Sequence, residues 1–158
     1  MLGKIKDGKC IPIEITHDHH PDLKAERERI EKCGGEIKKA DSKSPYRVFW
    51  KNSMIPGLAM TRAIGDVVCQ SLGVIAEPEI NVFNISDDDE FILLCSDGVW
   101  EFLSNAAVIG LVSSNMETSL ECRIEGVCRK SYNLWIENEK EVSDDITCVM
   151  LNLNKKCY

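Results

Sequence analysis

Nothing in this sequence is long and apolar enough to span a bilayer. The longest hydrophobic runs, such as Phe91 to Cys95, have the length of a strand. The opening residues, Met1-Leu2-Gly3-Lys4-Ile5-Lys6, lack the apolar stretch of a secretion signal. Basic charge is in deficit, with 19 Lys and Arg against 26 Asp and Glu and a net charge of -7. That balance argues against general binding to nucleic acid or to an anionic membrane. The cations between Lys24 and Lys51 alternate with Glu and Asp and read as a solvated face. Cys-x-x-Cys spacing is missing, although the chain has 8 cysteines. Its length and spacing exclude a small disulfide scaffold and a zinc-type cluster. Cys95 and Cys148 lie inside apolar runs as small buried hydrophobes, and reduced thiols place the protein inside the cell, in cytoplasm or nucleus.

What remains is a hydrophobic fraction of 44% over 158 residues, enough for one domain or a large part of one. Residues 3–15 read as two short strands about the turn Asp7-Gly8. A helix follows, with Pro21 in its first turn and Asp22 favourably charged there, and Gly34-Gly35 ends it. Residues 36–57 read as one strand and a long excursion closed by Pro56-Gly57, and further strands are expected near 79–85 and 90–95. Asp87-Asp88-Asp89 reads as an acidic turn, since three adjacent residues do not easily aim three carboxylates at one ion. Ser104 suits the cap of a helix over 105–113, and Thr118 with Glu121 has the pattern of a capping box before a second helix. A strand from Ile146 to Leu151 closes an α+β order of elements.

Asp97 follows the apolar run 91–95 after the single residue Ser96, and Asp144 and Asp145 directly precede the run 146–151. Taken singly, each is compatible with a simple turn or cap. If the two runs are antiparallel neighbours, Asp97 and Asp144 converge at one sheet edge. Clustered carboxylates repel, and a divalent cation relieves the repulsion. Mg2+ or Mn2+ suits carboxylate and water oxygens better than zinc does.

Five segments, in order, resemble the type 2C metal-dependent serine/threonine protein phosphatases. They are Ile15 to Pro21 (ITHDHHP), Glu26 to Glu31 running to Gly34-Gly35, Pro56 to Asp66 (PGLAMTRAIGD), Phe91 to Glu101 with Ser96-Asp97-Gly98, and Ser143 to Thr147 (SDDIT). The resemblance spans nearly the whole chain. It implies part of a four-layer αββα sandwich with antiparallel sheets, and a centre of two Mg2+ or Mn2+ ions whose activated water attacks phosphoserine or phosphothreonine in proteins. Asp97 and Asp144 match family metal ligands, and Asp145 stands where the family usually has Asn. Arg62 and Asp66 match a segment read here as structural, Arg62 pairing with a carboxylate and Asp66 organising a turn. Asp18 and His19 match a segment with a loop-fixing role. The stretch from about Lys38 to Ile55 matches the flap that sets substrate preference.

The resemblance also implies a catalytic half upstream of residues 1–158. That half would carry an Asp-Gly-His-Gly segment with the metal-bridging Asp and the acid His, a phosphate-holding Arg, and a Gly-Asp-Ser-Arg segment. None of these matches a position in this chain. The expectation is therefore a phosphatase when complete and an inactive portion when isolated, open to self-association through uncovered sheet edges and faces. The alternative is a non-catalytic phosphatase-like module that binds phosphoproteins or a partner.

Overall fold

The computed structural model describes residues 1–42, 44–114, 118–140 and 142–153. In chain order the elements are β1 (Leu2–Lys6), β2 (Lys9–Ile13), α1 (Lys24–Lys32), β3 (Gly35–Lys39), β4 (Tyr46–Trp50), β5 (Pro56–Leu58), α2 (Val67–Gln70), β6 (Asp89–Cys95), α3 (Asp97–Trp100), α4 (Asn105–Ser113), α5 (Leu120–Glu139) and β7 (Cys148–Asn152). The result is α+β, with antiparallel pairing throughout both sheets. Two compact units divide it: residues 1–16 with 81–158, and residues 17–80. Among the described residues no helix is long and apolar enough to cross a membrane.

The first unit is built on a sheet of order β2-β1-β6-β7. Alternation along β6 sends Phe91, Leu93 and Cys95 to one face and Leu94 to the other. The paired residues of β7 follow suit: Met150 lies opposite Leu93, Cys148 opposite Cys95, and Val149 opposite Leu94. The first face forms the core, where Phe91 and Leu93 pack with Val99, Val108, Ile109, Val112 and Val127 from the helices and with Leu103 from the connection between α3 and α4. Leu94, Val149 and Leu151 on the opposite face are more than half exposed. Arg123 is buried among apolar groups. Its Nε donates to the Val112 carbonyl at 2.9 Å and its guanidinium lies 5.6 Å from the Phe91 ring centre, which satisfies a charge that burial alone would penalise.

The second unit packs α1 and α2 against the sheet β3-β4-β5 around Ile30, Ile37, Val48, Cys69, Leu72 and Val74. Gly35 permits the close approach of α1, since a Cβ there would lie 2.7 Å from Ile30 Cγ2. The centre of this unit is a charge. Glu26 is 3% exposed and takes hydrogen bonds from Arg29 Nη1 (3.0 Å) and Nη2 (2.5 Å), Arg62 Nη2 (2.7 Å) and the Thr61 hydroxyl (2.5 Å). Arg29 reaches on to the carbonyls of Gly73 and Thr61, and Arg62 to that of Glu77. One carboxylate thus ties α1 to both flanks of the segment 61–77.

Several expectations are corrected. α1 starts at Lys24, later than Pro21 predicts, because His20 to Leu23 closes a turn of its own before the first helical bond, from Arg27 N–H to the Leu23 carbonyl. Residues 36–57 hold three strands instead of one, since β4 finds partners on both sides. No strand forms at 79–85: Ile80 and Val82 alternate as a strand requires but Phe83 and Ile85 have the opposite parity, no strand among the described residues supplies a ladder, and Ile80, Val82 and Ile85 remain exposed. Asp87 and Asp88 form the acidic turn, while Asp89 begins β6, buried against Lys4 Nζ at 3.2 Å. Ser119 caps α5 in place of Thr118, its hydroxyl accepting the Cys122 N–H. The cap of α4 is Ser104, as read. β7 begins at Cys148, two residues after the expected Ile146.

Glu26 yields a test with a definite sign. Hydrogen bonds from Arg29 first, with those from Arg62 and Thr61, hold its carboxyl well below the usual carboxylate range despite the opposing effect of burial. A carboxyl with a depressed folded pKa contributes stability above its unfolded value of about 4.3, and that contribution is lost as pH falls through the lower, folded value. Glu26→Gln is expected to lower unfolding stability by about 2 kcal/mol at neutral pH, because it leaves two half-buried guanidinium groups short of a charged partner. Urea unfolding followed by circular dichroism checks this, and the gap between the two proteins should narrow as pH falls below about 4.

Candidate metal centre

The site begins where β6 ends. Ser96 stays extended and caps α3, so Asp97 becomes the first residue of that short helix. The last paired rungs of the sheet then decide what faces it. Ser96 donates its N–H to the Thr147 carbonyl at 3.0 Å. The Ser96 hydroxyl accepts the Thr147 N–H at 3.0 Å and donates to the Asp145 carbonyl at 2.8 Å. Three hydrogen bonds from one serine therefore dock the segment before β7 onto the turn after β6.

Gly98 makes the docking close. A Cβ at Gly98 would lie 2.5 Å from the Asp145 carbonyl oxygen, so only glycine lets the two backbones meet. Two indoles hold the turn from behind. Trp135 of α5 donates to the Gly98 carbonyl at 2.7 Å, and Trp100 donates to the Cys95 carbonyl at 3.1 Å. Phe102 meets the Trp135 ring edge-on with 4.9 Å between centroids, fixing the indole that fixes Gly98.

The structure thus brings the Asp97 and Asp144-Asp145 segments to one end of the β6–β7 pair, and all three side chains are exposed. Asp97 Oδ1 accepts the N–H of Gly98 at 3.1 Å, and Asp144 Oδ1 accepts that of Asp145 at 2.8 Å. Each carboxylate is thereby steered by its own turn through one oxygen. Among the described residues none of the three aspartates forms an ion pair with a Lys, Arg or His. Hard oxygen donors on exposed carboxylates fit Mg2+ or Mn2+, which keep several waters, and do not fit a metal that prefers nitrogen or sulfur. Two such side chains are part of a shell: among the described residues no group of three or more His, Cys, Asp or Glu side chains is placed to hold an ion.

The other candidates lie in the second unit. Arg62 pairs with buried Glu26, as the structural reading requires. Asp66 adopts a left-handed conformation at the start of α2, with φ 46°, and organises that turn through its backbone, since its carbonyl accepts the Cys69 N–H and its side chain makes no cap bond. The His19 carbonyl takes the Thr61 N–H at 3.1 Å and lies 2.8 Å from the Thr61 hydroxyl, which fixes that loop. His17 and His19 both face Glu79, at 3.0 and 3.5 Å, and His20 lies 3.6 Å from Asp18. The flap segment supplies β4 and its flanking loops, with Tyr46 lying under Arg27 and Lys39 at 5.2 and 5.0 Å. The clamp by Ser96 and the closeness at Gly98 are the features that sequence reading missed. Their only signal was the Ser-Asp-Gly triplet, which many turns share.

The model of the protein phosphatase 2C family matches residues 3–139, ending just ahead of Asp144. Two relatives from Arabidopsis thaliana, probable protein phosphatases 2C 61 and 72, are 39% and 38% identical, each over 99% of this chain and 48% of their own length. The chain spans about half the length of these curated relatives. Among solved structures, a serine-threonine phosphatase 2C from Toxoplasma gondii superposes with a TM-score of 0.81 at 17% identity over 96% of this chain and 50% of that one, a likeness of fold. A C. elegans sex-determining protein superposes with a TM-score of 0.69 at 23% identity over 96% of this chain and 35% of its own. By the family match over most of its length, this chain belongs to the protein phosphatase 2C family.

Proposed function

We propose that this chain is the C-terminal portion of a phosphatase catalytic domain that, when complete, hydrolyses phosphoserine and phosphothreonine in proteins with Mg2+ or Mn2+. The observation that supports the reading is the Ser96 clamp, which docks the segment of Asp144 and Asp145 onto the turn that carries Asp97, in a chain of this family. Asp97 and Asp144 would hold the ion from this side of the centre. Ions bound there supply an activated water and neutralise charge on the phosphoryl oxygens. The protein's own work is positional. Ser96 and Gly98 set the spacing between the two carboxylate turns, and the Trp135 and Trp100 indoles keep α3 from shifting. The flap, with Tyr46 flanked by Arg27 and Lys39, would meet a phosphoprotein, and its cations suit an acidic substrate segment. The implied four layers of the complete domain, and its place inside the cell, belong to the same proposal.

The isolated chain should be inactive. A centre of two ions would need a further ligand, which the resemblance assigns to an Asp that matches no position in this chain. The phosphate-holding Arg and the acid His implied by the resemblance match nothing here either, and general acids alone contribute about 10²–10⁴-fold. A phosphopeptide assay in Mn2+ should detect no turnover by this chain and clear turnover by a chain extended upstream, abolished by Asp97→Asn. Turnover by the short chain would mean that the site lies within it. A silent extended chain that still binds phosphopeptide would favour the non-catalytic module.

Self-association is part of the same proposal. Leu94, Val149 and Leu151 form an exposed apolar row on the sheet face away from the helices, and Ile80, Val82 and Ile85 are exposed in a segment that pairs with no strand among the described residues. Such surfaces tend to be covered. Sedimentation should show the isolated chain associating as concentration rises, and Leu94→Lys with Val149→Glu should return it to monomer. A wild-type chain that stays monomeric at high concentration would contradict this.

A further inference from the structure

Cys95 is the last residue of β6 and Cys148 the first of β7, and the register sets them directly opposite each other. The next pair, Ser96 with Thr147, carries the backbone hydrogen bond, so Cys95 and Cys148 occupy the non-hydrogen-bonded position between rungs. In that position Cα atoms approach most closely, at about 4.5 Å, which lies within the span a disulfide bridges. Both side chains point to the helix-covered face, and their sulfurs are in contact at 3.4 Å. Both thiols are free and half-buried. No other pair of described cysteines sits in register across two strands. Cys33 and Cys122 are exposed, and Cys69 is buried in the other unit. Among the described residues the nearby competitor is Cys128 of α5, within hydrogen-bonding reach of Cys148.

We propose that Cys95 and Cys148 are an oxidisable pair that a peroxide converts to a cross-strand disulfide, fastening the edge strand β7 to β6 beside the two aspartate turns. One sulfur of the pair attacks a peroxide oxygen. The O–O bond breaks, water leaves, and that cysteine becomes a sulfenic acid. The facing sulfur then displaces the sulfenic oxygen, which departs as a second water. The two thiols lose two electrons and two protons in all, and the peroxide is reduced to two waters. Little movement is needed: the sulfurs must close from 3.4 Å to about 2.05 Å, by small rotations of side chains that already touch. β7 lies at the sheet edge and pairs only with β6, so the bond would hold the strand that otherwise has one neighbour. Its effect on a bound ion would rest on the metal reading above. The bond itself does not, and it is what the experiment reads.

The reduced chain is exposed to hydrogen peroxide, its remaining thiols are alkylated, and the cysteine peptides are mapped by mass spectrometry. The expected product is one intramolecular linkage between the Cys95 and Cys148 peptides, formed before any other and undone by a dithiol reductant. It should persist in Cys128→Ser and vanish in Cys148→Ser. The wild-type map decides the matter even if a variant fails to fold. Oxidation should also raise the urea midpoint of unfolding, reversibly. A Cys128–Cys148 linkage in its place, linkages between molecules through Cys33 or Cys122 alone, or a Cys95–Cys148 bond without a shifted midpoint would overturn the proposal.

Discussion

The pairing of β6 with β7 is the constraint on which the site depends. These strands come from stretches more than fifty residues apart in sequence, and nothing local makes Asp97 and Asp144 neighbours. Register does. A slip of one residue would turn Leu93 and Met150 away from the helices and expose the core face, so burial strongly fixes the alignment. Once Leu93 lies opposite Met150, Ser96 must lie opposite Thr147, and its hydroxyl can take both the Thr147 N–H and the Asp145 carbonyl. Hydrophobic packing along one sheet face thus sets the positions of two polar turns at its end.

The second unit shows a different solution. Its apolar core is small, and a buried carboxylate organises it. Glu26 would be costly to bury alone, but Arg29, Arg62 and Thr61 satisfy it completely. The arginines then spend their remaining donors on the backbone carbonyls of Gly73, Thr61 and Glu77, where a loop would otherwise leave acceptors unmet. The motif residues Glu26, Thr61 and Arg62 thereby acquire a structural role, distinct from the metal-type aspartates of the first unit.

Much of this was legible beforehand because the signals were periodic or carried by motifs. The run 91–95 and the run ending at Leu151 announced two strands, and the acidic residues beside them announced where they end. Ser104 announced a helix start, and Gly34 a helix stop. What was not legible depended on partners that sequence does not show. Residues 79–85 are as rich in apolar side chains as a strand but find no ladder, while Tyr46 to Trp50 find two partners and become the centre of a sheet. Asp89 looked like one of three acids in a turn until Lys4, more than eighty residues away, accounted for its burial. Gly98 looked like an ordinary turn glycine. Its necessity lies in the Asp145 carbonyl that arrives from the far end of the chain.

Asp97 and Asp144 are proposed to act together toward one divalent ion. Paramagnetic broadening by sub-stoichiometric Mn2+ in the amide NMR spectrum tests it most directly, because it locates a weakly bound ion without requiring activity. The signals of Ser96, Asp97, Gly98, Asp144 and Asp145 should broaden first and together, and Asp97→Asn should relieve the broadening at both segments at once. Broadening centred on Asp87 and Asp88, or loss at one segment that leaves the other unchanged, would contradict it.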